Sequence, residues 1–153
     1  MPFYFAYGSN MDAAAMRTRC PASRLIGPGV LKRRRFALMA DGYATLVRDG
    51  AREVHGTLYD LALSDVPALD RYECVARGLY FKEIQPVVCA TGSPRRALVY
   101  VGGAPASAAP KMIGGYMQSI VAAARAAAAP PSYIAYLETF LPRRSGALQK
   151  GSS

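Results

Sequence analysis

The chain has 153 residues, enough for one domain with its own core; 52% of them are apolar and the formal net charge is +9. No run approaches the ~18 uninterrupted apolar residues that a spanning helix requires, which excludes a membrane protein built of such helices. Three scattered cysteines, no CxxC pair and a single histidine are too few ligands for a zinc site, and the composition calls for no metal and no cofactor.

In chain order, residues 2–7 predict a short first strand. Asn10 or Ser9 is placed to cap a helix over 11–19, with Asp12 in its first turn, and Pro21 ends it. Gly27-Pro28-Gly29 reads as a turn into a basic strand over 30–39. Asp41-Gly42 turns the chain again, 43–48 is a further strand, and Asp49-Gly50 is a hairpin signal that returns it through 53–61. Ser64 is placed to cap a helix from 65 to about 74, with Pro67 tolerated in its first turn.

Strands over 79–89 and 97–101 flank a Thr91-Gly92-Ser93-Pro94 turn, and 102–110 is small and flexible in composition. A helix of high intrinsic propensity runs over roughly 112–129 to Pro130-Pro131, and Ser132 caps a last helix to about 141. Residues 1–141 thus read as one domain and 142–153 as a disordered polar tail. Strands outnumber helices and hairpin signals join several of them. The expected class is α+β: a small mixed, mostly antiparallel β-barrel with flanking helices.

The positive charge raises the question of a nucleic-acid partner. Its densest cluster is Lys32-Arg33-Arg34-Arg35, on the predicted strand. Alternation along a strand sends two of these side chains to each face, which splits the patch. Arg95-Arg96 and Arg143-Arg144 lie elsewhere, so no nucleic-acid partner is expected. No basic segment followed by a long apolar stretch opens the chain, and the expected location is cytoplasmic.

Two local features carry chemistry. Phe5-Ala6-Tyr7-Gly8-Ser9-Asn10-Met11 leads an apolar run through a small polar turn into a helix, an arrangement that bares backbone N–H groups able to hold an anion or oxyanion. A plain strand-to-helix connection accounts for Ser9 and Asn10, but not for Tyr7 before a glycine that looks obligatory. The second feature is Glu73. At 100° per residue, Val66, Leu69 and Glu73 fall within about 60° of one another, with Asp70 on the flank. A carboxylate on an apolar helix face is costly unless it is paired or protonated. Spacing alone leaves two readings: an ion pair with Arg77 on the rim, or a desolvated acid–base group.

The strings FAYGSNM, HGTLYDL, LDRYECV and GLY, in that order between Tyr4 and about Leu137, resemble the γ-glutamylcyclotransferase family. The resemblance implies a small β-barrel with helices outside and the pocket at one end. It implies a reaction that releases 5-oxoproline and an amine or amino acid from a small γ-glutamyl compound. By match to the family's LDxxE segment, Glu73 is its general acid–base and Asp70 is structural. Tyr7, Gly8, Ser9 and Asn10 match the loop whose amides bind the γ-glutamyl group, and Tyr80 and Tyr116 match pocket tyrosines, with Tyr100 a weaker match. Where the family commonly has glycine after the glutamate this chain has Cys74, whose side chain is expected to narrow the pocket or shift the helix end. His55 is read as structural, and a nucleophilic Cys74 lacks a histidine to activate it. A homodimer and the identity of the amine are left open. The competing reading is a non-catalytic module that recruits an acidic partner or RNA through its basic surface.

Overall fold

The computed structural model describes residues 2–142, so the predicted tail from 143 onward, with Arg143-Arg144, lies outside the described residues. Five strands, β1 (Phe3–Ala6), β2 (Arg24–Leu38), β3 (Ala44–Asp60), β4 (Tyr80–Cys89) and β5 (Pro94–Gly102), close into a barrel in the order β1-β3-β2-β4-β5. Every pairing is antiparallel except β1 with β5, where Phe3 faces Ala97 and Tyr4 faces Leu98 in parallel. Closure removes the free edges that an open sheet would expose. The expected mixed, mostly antiparallel barrel is therefore found. Among the described residues four helices flank it: α1 (Ala13–Arg19), α2 (Val66–Tyr72), α3 (Tyr116–Ala126) and α4 (Pro131–Glu138). None among the described residues is long and apolar enough to cross a membrane.

Barrel and helices share one core, in which Phe5, Phe36 and Leu58 from the strands meet Leu69, Ile120 and Leu137 from the helices, all wholly buried. The close approach of β1 to β3 needs a glycine. A Cβ on Gly56 would stand 2.3 Å from the Ala6 carbonyl oxygen and 2.8 Å from the Phe5 ring.

Several boundaries differ from expectation, each for a physical reason. Ser9–Met11 forms a 3₁₀ turn, and α1 is capped instead by Asp12, whose carboxylate accepts from the Ala14 amide at 3.0 Å. Gly27-Pro28-Gly29 is no turn: it lies within β2, whose ladder shifts register between Leu25 and Gly27. Ser64 caps nothing, because Leu63–Asp65 is a further 3₁₀ turn; the buried Asp65 carboxylate takes the Ala22 amide and the Ser23 hydroxyl at 3.0 and 2.8 Å. Helix α3 starts at Tyr116, not 112, because Gly115 before it adopts φ 78°. In α4, Pro131 occupies the first turn and Ser132 makes no cap bond.

The largest correction concerns Asp49-Gly50. It does not reverse the chain, and 44–60 is one strand that pairs with β2 on both sides of residues 49–52. The true reversal is at Asp41-Gly42, where the Asp41 carboxylate accepts from the Tyr43 amide at 3.1 Å. Lys32 pairs with Glu53 and Arg34 with Arg48, so four residues, 49–52, bulge opposite Arg33 alone. Arg33 sits at φ 62°, which breaks the alternation expected of the basic run. Lys32, Arg33 and Arg34 line one groove, contrary to the predicted two-and-two split.

Candidate active site

Strand β1 ends by delivering Tyr7 into the barrel. Tyr7 is buried, and its hydroxyl donates to the Tyr100 carbonyl at 2.5 Å. The next three residues are held from several sides. The buried Asn10 donates through Nδ2 to the Tyr4 hydroxyl at 3.0 Å, and its carbonyl accepts from the Tyr59 hydroxyl at 3.0 Å. Asn10 is thus a fastening for the loop. Met11 and Asp12 donate their amides back to Gly8 and Ser9 at 3.0 and 3.2 Å. Among the described residues the amides of Gly8, Ser9 and Asn10 donate to no group, as is usual in the first turn of a helix. Gly8 has φ −116°, so a left-handed backbone does not explain it. A Cβ there would lie 3.8 Å from the Ala44 Cβ and 3.9 Å from the Tyr116 hydroxyl, inside the recess that all three line. Glycine at this position preserves space.

Glu73 follows α2 directly, its amide still donating to the Leu69 carbonyl at 2.9 Å. The predicted stripe is real: Leu69 is fully buried, Val66 and Glu73 are half-buried and Arg71 is exposed. Among the described residues Glu73 forms no ion pair, so the Arg77 reading fails. Burial pushes its carboxyl up to about 7, against the opposing pull of the Arg19 charge. Arg19, at the end of α1, donates to the Asn10 side-chain oxygen and stacks over the Tyr72 ring. The Tyr72 and Ser9 hydroxyls are hydrogen-bonded at 2.6 Å. Loop and glutamate are therefore fastened to each other through Arg19 and Tyr72.

Tyr80 and Tyr116 hold one residue, Ala44, through its two flanking peptide units. Tyr80 donates its hydroxyl to the Ala44 carbonyl, and the Ala44 amide donates to the Tyr116 hydroxyl at 3.0 Å. Tyr100 donates to Asp70 at 2.6 Å, and Asp70 also accepts from Lys82 at 3.0 Å, which gives it a structural part. Burial raises the phenols of Tyr4, Tyr7, Tyr80, Tyr100 and Tyr116, so all five stay neutral.

These groups enclose a recess of about 330 Å³, its mouth included. Tyr7, Gly8, Ser9, Asn10, Glu73, Tyr80 and Tyr116 all line it, so the structure brings every predicted site residue together. Glu73 is the one charged side chain among the lining residues. Tyr4 and Ala44 were missed, and Tyr100 was given too little weight. Tyr4 and Tyr100 reach the recess through strand register, and alanine carries no chemical signal. Arg19 was also missed, although its place near the end of an amphipathic helix beside the loop was legible.

Cys74 does not line the recess, so the expected narrowing does not occur. It stands at φ 54° and ψ 45°, directly after the helix. His55 lies elsewhere, paired with Glu53 at 3.0 Å and packed against Tyr133. Among the described residues no three His, Cys, Asp or Glu side chains gather where they could hold a metal.

A closed five-strand barrel with a tyrosine-walled recess that holds one carboxyl defines a small barrel protein with a polar pocket. The chain belongs to the γ-glutamyl cyclotransferase, AIG2-like family, whose model matches residues 4–117. Among solved structures it is similar to a protein described as γ-glutamyl cyclotransferase, with 22% identity, TM-score 0.81 and coverage of 93% of this chain and 89% of that one. An uncharacterized protein from Homo sapiens aligns with 23% identity and TM-score 0.79 over 92% of this chain and 88% of its own. YkqA from Bacillus subtilis aligns with 22% identity and TM-score 0.77, covering 94% of this chain and 56% of YkqA. No curated protein matches by sequence.

Proposed function

We propose that the chain is an enzyme that releases 5-oxoproline from a small γ-glutamyl compound, with Glu73 as general acid and base. One observation carries this reading: an unpaired, half-buried carboxyl shares a recess with Gly8, Ser9 and Asn10, residues whose amides have no partner among the described residues. The family match supports the class of substrate.

In this mechanism the substrate's α-ammonium loses a proton to Glu73, and the freed amine attacks the γ-carbonyl carbon. A C–N bond forms, the five-membered ring closes, and the carbonyl oxygen takes negative charge that the Gly8, Ser9 and Asn10 amides accept as hydrogen-bond donors. Collapse breaks the original amide bond; Glu73 returns the first proton to the departing nitrogen and then passes it the second proton of the ring nitrogen, so that a neutral lactam and an ammonium leave. A carboxyl poised near 7 suits both transfers at neutral pH. Because the attack is intramolecular, holding the chain folded in the recess supplies much of the acceleration. The neutral tyrosine hydroxyls around the recess serve to position the γ-glutamyl group.

A panel of γ-glutamyl amino acids and γ-glutamyl amines, with 5-oxoproline read by mass spectrometry, tests the proposal. Release from at least one member is expected. No release from any of them, with the recess intact, would refute it.

A further inference from the structure

Away from the recess, the bulge in β3 and the basic run of β2 frame an open groove of about 1750 Å³, its mouth included. Lys32, Arg33, Arg34, Arg48 and Arg52 line it together with two carboxylates, Asp49 and Glu53. Both carboxylates are already engaged: Glu53 with Lys32 at 2.9 Å and His55 at 3.0 Å, Asp49 with Arg35 at 3.7 Å. The four arginines of the groove form no ion pair among the described residues.

Two features of this groove oppose folding. Arg34 and Arg48 stand directly opposite each other in the ladder, where like charges repel. Arg33 holds a left-handed backbone, costly for any residue with a Cβ, and thereby joins its neighbours in the groove. Arg34 is further oriented by donating to the Arg33 carbonyl at 3.2 Å, and Arg52 rests over the Tyr136 ring. Guanidinium groups match phosphate oxygens two at a time, and a bound anion would relieve the repulsion. Among the described residues no aromatic ring lines the groove to stack on a base.

We propose that this groove binds an oligophosphate, a short chain of linked phosphate groups, either free or carried on a nucleoside. Linked phosphates concentrate more charge per unit length than a phosphodiester backbone, which fits several unpaired arginines gathered in one concavity.

The test is calorimetric titration of the full chain with sodium tripolyphosphate at low ionic strength, with ATP, orthophosphate and a ten-nucleotide single strand as further arms. Tripolyphosphate or ATP is expected to bind more tightly than orthophosphate or the oligonucleotide. Whichever of the first two binds better identifies the source. The double variant Arg34→Gln/Arg48→Gln should weaken binding at least about tenfold. It should also melt no lower than the wild type, since it removes a repulsive pair. Arg95→Gln/Arg96→Gln removes the same charge from an exposed part of β5 and should change affinity by less than about twofold. Equal losses in both variants would reduce the effect to net charge and overturn the proposal. It would equally fall if tripolyphosphate and ATP both failed to bind, or if the oligonucleotide bound tightest.

Discussion

The guanidinium carbon of Arg19 lies 3.5 Å from the centre of the Tyr72 ring, next in sequence to Glu73, while the same group donates to Asn10 in the amide loop. One cation thus spans the two halves of the recess and is the named charge that favours the ionised form of Glu73. Among the described residues, the other ionisable side chains that line the recess with that carboxyl are the phenols of Tyr4, Tyr7, Tyr80, Tyr100 and Tyr116, all neutral near pH 7.

Replacing Arg19 should therefore act through pH. Its charge lowers the Glu73 pKa, so Arg19→Gln raises it further and reduces the ionised fraction at pH 7. The acidic limb of the kcat/KM profile should move to higher pH, with much of the activity regained near pH 9. Arg19→Lys keeps the charge and should hold the limb near its wild-type position. An Arg19→Gln profile lowered equally at every pH would indicate a structural role alone.

Glu73→Gln removes the proton carrier while keeping shape and polarity. Release of 5-oxoproline should fall by about 10²–10⁴-fold. Binding of a γ-glutamyl compound, followed by calorimetry, should change little, because the amide loop is untouched. Retained turnover in this variant would rule Glu73 out as the acid–base.

The same substitution should stabilise the fold at alkaline pH. The Glu73 carboxyl lies near 7 in the folded chain against an ordinary value of 4.5, so between those values the native state binds the extra proton. Stability from this group is complete below about 4.5, declines as pH rises through about 7, and is absent above it. At pH 8, Glu73→Gln should exceed the wild type by on the order of 2 kcal/mol in urea unfolding. At pH 4 the two should coincide. A wild type that is the more stable at pH 8 would contradict a desolvated, unpaired carboxyl.

Cys74 tests the backbone at the helix end. At φ 54° a side chain is strained where glycine is not, so Cys74→Gly should gain roughly 0.5–1 kcal/mol after glycine's greater chain entropy is counted. Cys74→Val, β-branched at the same angle, should lose stability. Because Cys74 does not line the recess, thiol alkylation should leave turnover intact if Cys74 is the only residue modified. Thermal melts and activity after alkylation check both points.

The strand-rich class, the places of the helices along the chain and the amphipathic face that carries Leu69 and Glu73 were legible because each rests on short-range patterns. Helical spacing alone puts Glu73 on the stripe, and the small polar residues after Tyr7 mark the turn after β1. The site was harder to read where strands supply it. Tyr4 and Tyr100 reach the recess through pairings such as Tyr4 with Leu98 and Lys82 with Tyr100, which link distant parts of the chain. Asp49-Gly50 shows the same limit. Its turn preference is real but local, and a fifteen-residue β2 that must be paired along its length turns it into a bulge. That bulge then gathers arginines which strict alternation would have separated.

What the residues determine by themselves is the kind of each element and which side chains are able to move a proton or donate a hydrogen bond, since those properties are bonded chemistry. Only the closed barrel decides that Glu73 lacks a countercharge in its recess, that Gly8 is there for space, and that Lys32, Arg33 and Arg34 share a single groove. Desolvation and repulsion arise between groups far apart in the chain, and no local pattern encodes their distance.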